Sequence, residues 1–278
     1  MKFNLFILVF SLLMFECSSD DTNNETSDGI YFPIGLDNTW NYSVENTSES
    51  NPELNFSATD VVTINSVADN MFTMTVNNGT APANGTMNTF FGSGTFITSN
   101  STLLYNGDFE ILSETEELPI PDINLTDFTL YDTNASLDTQ LYSDTNSFTE
   151  DVDLNGQILP ITTTYQITNT YLNNLSSLTV NETTYTNVIH TEIKVNIEVS
   201  TVIDIGFPIS QSILDAQDIL VINNYYAEDI GLIKSDANQS FQLNEQFLTL
   251  MTTFGGSLDF PSNISVYNSQ ELESYIFN

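Results

Sequence analysis

From Leu159 to Thr170 the chain keeps a two-residue beat. Leu159, Ile161, Thr163, Tyr165 and Ile167 fall on one face, and Thr162, Thr164, Gln166, Thr168 and Thr170 on the other. A helix would scatter these residues around its axis, whereas a strand sorts them into one buried and one wet face. A second run, Tyr185 to Val199, sets Ile189, Ile193, Val195, Ile197 and Val199 against His190, Lys194, Asn196 and Glu198. A third strand is predicted over Asp218–Tyr226, and shorter ones over Thr39–Glu45, Asp60–Val67, Met71–Val76, Thr95–Ser99 and Phe109–Ser113. Asn-Gly pairs at 78–79, 84–85, 106–107 and 155–156 favour tight turns. The clearest hairpin folds about Asn155-Gly156, with arms Phe148–Leu154 and Gln157–Tyr171. Glu114 to Asp127 is acidic, holds Pro119 and Pro121, and reads as a loop or crossover. One helix is predicted, over Leu243–Met251, stopped by Gly255-Gly256. The chain therefore reads as an all-β, antiparallel protein.

Charge removes whole classes of function. The 278 residues hold 37 Asp and Glu against 3 Lys, no Arg, one His and one Cys, for a net charge of −34. Nucleic-acid binding needs Lys and Arg to displace counterions, and an Arg clamp is impossible. One Cys permits no disulfide, and one Cys with one His builds no zinc site. Aromatic residues make up 12% of the chain, enough to build a core despite the charge.

The N-terminus reads as an address. Lys2 precedes an apolar run from Phe3 to Phe15. As a helix it spans about 20 Å, too short for ~30 Å of hydrocarbon, so it reads as a signal-peptide core. The run ends at Glu16-Cys17, where the sole cysteine stands. Leu13-Met14-Phe15-Glu16-Cys17 resembles a bacterial lipobox, with Glu16 in place of the usual small residue. The resemblance implies cleavage before Cys17 and its acylation by chains of the palmitate type. Residues 18–29 hold no apolar side chain and read as a flexible acidic tether with an r.m.s. reach of roughly 20 Å. The expected organisation is a signal peptide (1–16), a tether (17–29) and a single β domain (30–278).

Three further segments resemble a family of uncharacterised Bacteroidetes (flavobacterial) surface lipoproteins. They are Tyr31-Phe32-Pro33-Ile34-Gly35-Leu36-Asp37-Asn38-Thr39-Trp40-Asn41-Tyr42, the turn-and-strand stretch Leu178 to Val188, and Tyr225-Tyr226-Ala227-Glu228-Asp229-Ile230-Gly231-Leu232-Ile233-Lys234. Asp37 and Thr183 replace glycines of the family pattern. The resemblance implies a curved antiparallel sheet or half-barrel with at most one or two short helices, wrapping an apolar groove; a β-sandwich is the alternative. It also implies attachment to the outer membrane, facing the cell surface or, alternatively, the periplasm.

Few residues suggest chemistry. Asp151-Val152-Asp153-Leu154-Asn155-Gly156 matches the start of a calcium loop, but Thr162 stands where the closing Glu belongs, and a hairpin fits better. His190, Glu192 and Lys194 share a polar strand face and read as a solvated stripe rather than a catalytic base with partners. Glu110, Glu114, Glu116, Glu117 and Asp122 read as a solvated loop. Trp40 reads as a core anchor, and Gly231 as a turn or bulge residue. No catalytic, cofactor or metal residue is assigned; the one assigned site is lipidation at Cys17. The expected function is a non-catalytic, membrane-anchored binding module for a hydrophobic ligand or an envelope partner. A structural or adhesion protein without a cavity is the alternative, and a glycan hydrolase is disfavoured.

Overall fold

A computed structural model describes residues 30–109, 123–154, 157–204, 206–253 and 261–278. The strands are β1 (Thr39–Thr47), β2 (Phe56–Ala68), β3 (Met71–Val76), β4 (Gly94–Thr98), β5 (Thr102–Phe109), β6 (Ile123–Asp132), β7 (Thr139–Leu154), β8 (Gln157–Val180), β9 (Thr183–Asp204), β10 (Pro208–Ala227), β11 (Gly231–Gln242) and β12 (Asn263–Ile276). Two helices, α1 (Thr86–Gly92) and α2 (Glu245–Thr253), interrupt them. The strands form one antiparallel sheet in the order β6-β5-β4-β3-β2-β1-β12-β11-β10-β9-β8-β7. Each strand neighbours its successor except β6 and β7, which are the two edges of the sheet, and β12 returns to lie beside β1.

The sheet curls until it is nearly a closed barrel. Its seam is made by side chains rather than a ladder. Asn169 on β8 donates from Nδ2 to the carbonyls of Thr129 (2.6 Å) and Leu130 (2.9 Å) on β6. Beside it the Phe128 and Tyr142 rings meet edge to face at 4.7 Å. One sheet closing on itself replaces the β-sandwich alternative. The two-residue beat sets what faces inward: Ile161, Thr163, Tyr165 and Ile167 of β8 and Ile193, Val195, Ile197 and Val199 of β9 are all buried.

Five expectations shift. The strand foreseen at Phe109–Ser113 is the last residue of β5, and 110–113 lie outside the described residues. Residues 123–127, read as acidic loop, belong to β6, where Ile123 and Leu125 turn inward. Asn106-Gly107 lies within β5 rather than in a turn. The Tyr105 ring lies over that glycine and over its register partner Gly94, and a Cβ at either would fall within 2.5 Å of it. Asn84-Gly85 opens α1, a helix the sequence did not announce. The one predicted helix appears as α2, shifted by two residues.

Among the buried aromatics are Tyr42, Tyr131 and Tyr226. Burial, aided by neighbouring tyrosines for Tyr42 and Tyr131, holds all three hydroxyls far above the usual phenol range. A raised folded pKa stabilises below the unfolded value near 10 and is lost as pH rises above it. In an alkaline titration at 295 nm, these three of the 12 tyrosines are expected to ionise only together with loss of the far-ultraviolet β signal. Ionisation of every tyrosine with the sheet intact would contradict this packing.

Candidate functional site

The interior comes first, because it is where a ligand would be held. It is occupied by α1. Met87, Asn88, Phe90 and Phe91 are buried, and the helix touches β2 and β3 on one side and β11 and β12 on the other. Its backbone donors are met by side chains from the wall. Gln270 Oε1 accepts from the amides of Met87 (3.1 Å) and Asn88 (3.2 Å), and Asn268 Oδ1 from Thr86 (3.0 Å). Gln270 Nε2 donates back to Asn88 Oδ1 (3.0 Å).

The lead-in to α1 converges on Asp60. This residue follows the inward beat of β2 with Val62 and Ile64, so its carboxylate faces the core. It accepts from Asn77 Nδ2 (3.0 Å), Asn84 N (2.9 Å), Asn84 Nδ2 (2.7 Å), Gly85 N (2.8 Å) and Asn88 Nδ2 (3.0 Å). Burial alone would raise its pKa, yet the donors from Asn77, Asn88, Gly85 and Asn84 together outweigh it and hold the group below the ordinary carboxylate value. A carboxylate saturated in this way is a clasp for α1, with no lone pair left to act as a base.

Behind α1 the wall carries a polar row. Asn224 on β10 stands in register with Thr191 on β9 and Ser235 on β11, and Ser235 with Gln270 on β12. Gln270 holds the helix. Thr191 Oγ, both amide atoms of Asn224, Ser235 Oγ and the nearby Tyr226 hydroxyl are buried with no protein partner. An unpaired buried polar group costs about 1–3 kcal/mol. Thr191→Val keeps the shape and removes one such group, so it is expected to raise stability by about 1 kcal/mol in urea denaturation. A loss of stability would mean that a bound molecule completes the row.

The residues singled out by sequence lie as follows. Trp40 is fully buried, and its Nε1 donates to the Ile230 carbonyl (2.6 Å). Gly231 has φ +103°, and an added Cβ would sit 3.3 Å from the Phe32 ring. Both are structural. His190 stacks on Tyr225 at 4.4 Å and bonds Asn223 Oδ1 (2.9 Å), while Lys194 pairs with Glu192 at 2.7 Å. The stripe is a surface network on the outer face of β9. The hairpin arms pair from Asp151↔Pro160 to Leu154↔Gln157, while Asn155-Gly156 lie outside the described residues. Cys17 and the acidic group Glu110–Asp122 lie outside the described residues.

The three family-like segments meet at one end of the barrel. Besides the Trp40 bond, Tyr42 Oη donates to the Leu232 carbonyl (2.8 Å) and Asp229 N to that of Ile30 (2.7 Å). Asn187 Nδ2 bonds Glu228. This end is the base, where the described chain begins.

The opposite end is different. There β7–β10 run far past the short strands β3–β5, and their two hairpins end level with each other. Ile158 (69% exposed), Val202 (44%), Phe207 (62%) and Ile209 (38%) stand in water at this outer end. By register Ile158 and Val202 stand on the outer face and Ile209, paired with Ile203, on the inner one, and exposed apolar residues gathered at one end of a compact domain mark a candidate interaction site. Sequence reasoning passed over them because apolar strand residues read as core. It passed over Asp60, Gln270 and Asn268 as well, since nothing local marks them among so many acids and amides. Compared with known proteins, the chain matches no family model, no curated protein and no solved structure.

Proposed function

We propose that this chain is a lipid-anchored envelope protein, acylated at Cys17 and held on the outer membrane, whose barrel is a non-catalytic module that binds an envelope partner through the outer ends of β7–β10. The supporting observation is the exposure of Ile158, Val202, Phe207 and Ile209 at this one end. Their placement adds weight. The chain enters at the base beside Asp229, and these residues lie at the other end of β10. Twenty residues of strand set the two about 60 Å apart. A tether of roughly 20 Å reach then favours presenting them away from the bilayer. A hydrophobic ligand inside the barrel is the weaker reading, because α1 and the aromatic side chains take up that space. The side of the membrane is assigned to the cell surface, with the periplasmic face as the competing placement.

Three measurements in the native cell test this. Acyl labelling should be lost in Cys17→Ser, and protease shaving of intact cells should remove the wild-type protein. A photo-cross-linking residue at Phe207 should trap a discrete partner, while the same group at Ser66, exposed on β2, should not. Labelling that survives Cys17→Ser would overturn the anchor. Equal trapping from both positions, or none from Phe207, would overturn the binding surface.

A further inference from the structure

Strand β7 ends the sheet: among the described residues nothing pairs with its free side. Unpaired edges invite another strand, and proteins guard them with inward-pointing charges. The inward face of β7 is set by its register with β8: Asp144↔Ile167, Phe148↔Thr163, Glu150↔Ile161 and Val152↔Leu159. Phe148 and Val152 are half-buried and extend the apolar lining, and Leu159 and Ile161 continue it next door. Glu150 is exposed between them, and Asp144 is half-buried beside the Tyr165 hydroxyl. On the outer face stand Thr145, Ser147, Thr149 and Asp151, all exposed.

This pattern selects its occupant. A second copy pairing antiparallel about Ser147 would set Asp144 opposite Glu150 at both ends of the contact, and like charges directly opposite are destabilising. The net charge of −34 opposes self-association further. A strand carrying Lys or Arg opposite Glu150 and Asp144, with an apolar residue opposite Phe148, reverses both terms. Such a strand would gain main-chain bonds along the edge and side-chain contacts on the inward face, the usual economy of strand addition.

We infer that the free edge of β7 from Asp144 to Val152 is a strand-addition site for an extended basic-and-apolar segment of a partner protein. The inference rests on the reading of the chain as a binding module and names its partner's chemistry. Asp151 beside the exposed apolar residues at the outer end disfavours a bilayer as the occupant.

The probe is a synthetic peptide in which threonine alternates with lysine and valine, titrated by fluorescence anisotropy against the folded domain. A second peptide carries glutamate in place of lysine. A third has the lysine peptide's composition in an order without alternation. The lysine peptide should bind, with isotope-edited infrared bands of antiparallel sheet. The other two should bind at least about threefold more weakly, and Glu150→Lys should reduce lysine-peptide binding by about three- to tenfold and improve binding of the glutamate peptide. Phe148→Ser should weaken binding as well, and thermal melting of each variant confirms that it folds. Equal binding of the ordered and scrambled lysine peptides would reduce the effect to general attraction and overturn the site. No binding, binding unchanged in Glu150→Lys, or binding of lipid vesicles in place of the peptide would overturn it too. None of these results touches the Phe207 cross-link, which tests the binding-module reading separately.

Discussion

Asp60→Ala is expected to cost about 4 kcal/mol in urea denaturation, a large share of a domain's stability. The substitution strands five donor contacts from Asn77, Asn84, Gly85 and Asn88. Each hydrogen bond to a charged group is worth about 1.5–3 kcal/mol, and within one network they add poorly. The loss also releases the segment that delivers α1. The pH dependence carries the sharper signature. Asp60 has a lowered folded pKa, so its contribution is complete above the unfolded value near 3.9 and disappears as pH falls through the lower folded value. The rest of the molecule pulls the other way. With a net charge of −34, protonating surface carboxylates relieves repulsion, so stability should climb as pH falls from 7 toward about 4.5. Below about pH 4 the wild type should turn over. Asp60→Asn, starting from lower stability, should lose the turnover and keep the climb. Parallel curves for the two proteins across pH 2–7 would show that Asp60 is not the clasp.

What the sequence disclosed was what depends on neighbours along the chain. Alternation is local, so β8 and β9 announce themselves, and Met71–Val76 matches β3 at both ends. The curl of the sheet is less local, yet the base reads through Trp40 and Gly231, whose types admit few roles. α1 is different. Seven residues of Thr, Met, Asn, Phe and Gly, without a side-chain N-cap, form a poor isolated helix. It exists because Gln270, 182 residues away from Asn88, supplies acceptors for its first turn, and because the barrel needs its aromatic side chains. No local pattern carries such information. The same holds for Asp60, one acid of 37, distinguished only by the ring of donors that folding brings to it. The exposed outer end fails for the opposite reason: Phe207 and Ile158 are of core residue type, yet Phe207 lies in the connection before β10 and Ile158 falls off the inward beat of β8, which leaves both in water.

The unequal strand lengths decide where a core defect will be felt. Phe90→Ala is expected to cost about 3–5 kcal/mol, the range for a fully buried phenylalanine. Phe90 is 1% exposed, and its ring lies 4.0 Å from Tyr105, 5.2 Å from Phe109 and 5.8 Å from Phe128. It therefore fastens α1 to β5 and β6. These two strands and β4 have 8, 10 and 5 residues, whereas β8, β9 and β10 have 24, 22 and 20. The long strands hold each other by extended ladders and by the Ile193, Val195, Ile197 and Ile222 core. The short strands have little ladder to spare and depend on the aromatic side chains that α1 brings. Loss of the Phe90 ring should thus lower amide-exchange protection in β4–β6 first, at denaturant concentrations where β8–β10 still exchange slowly. Phe277→Ala, which trims a ring 36% exposed at the base, should cost about 1 kcal/mol or less. If Phe90→Ala lowered protection equally in all strands, the barrel would be one cooperative unit, and the division between a helix-dependent and a ladder-dependent half would be wrong. If its cost were no larger than that of Phe277→Ala, α1 would not be the plug that completes the core.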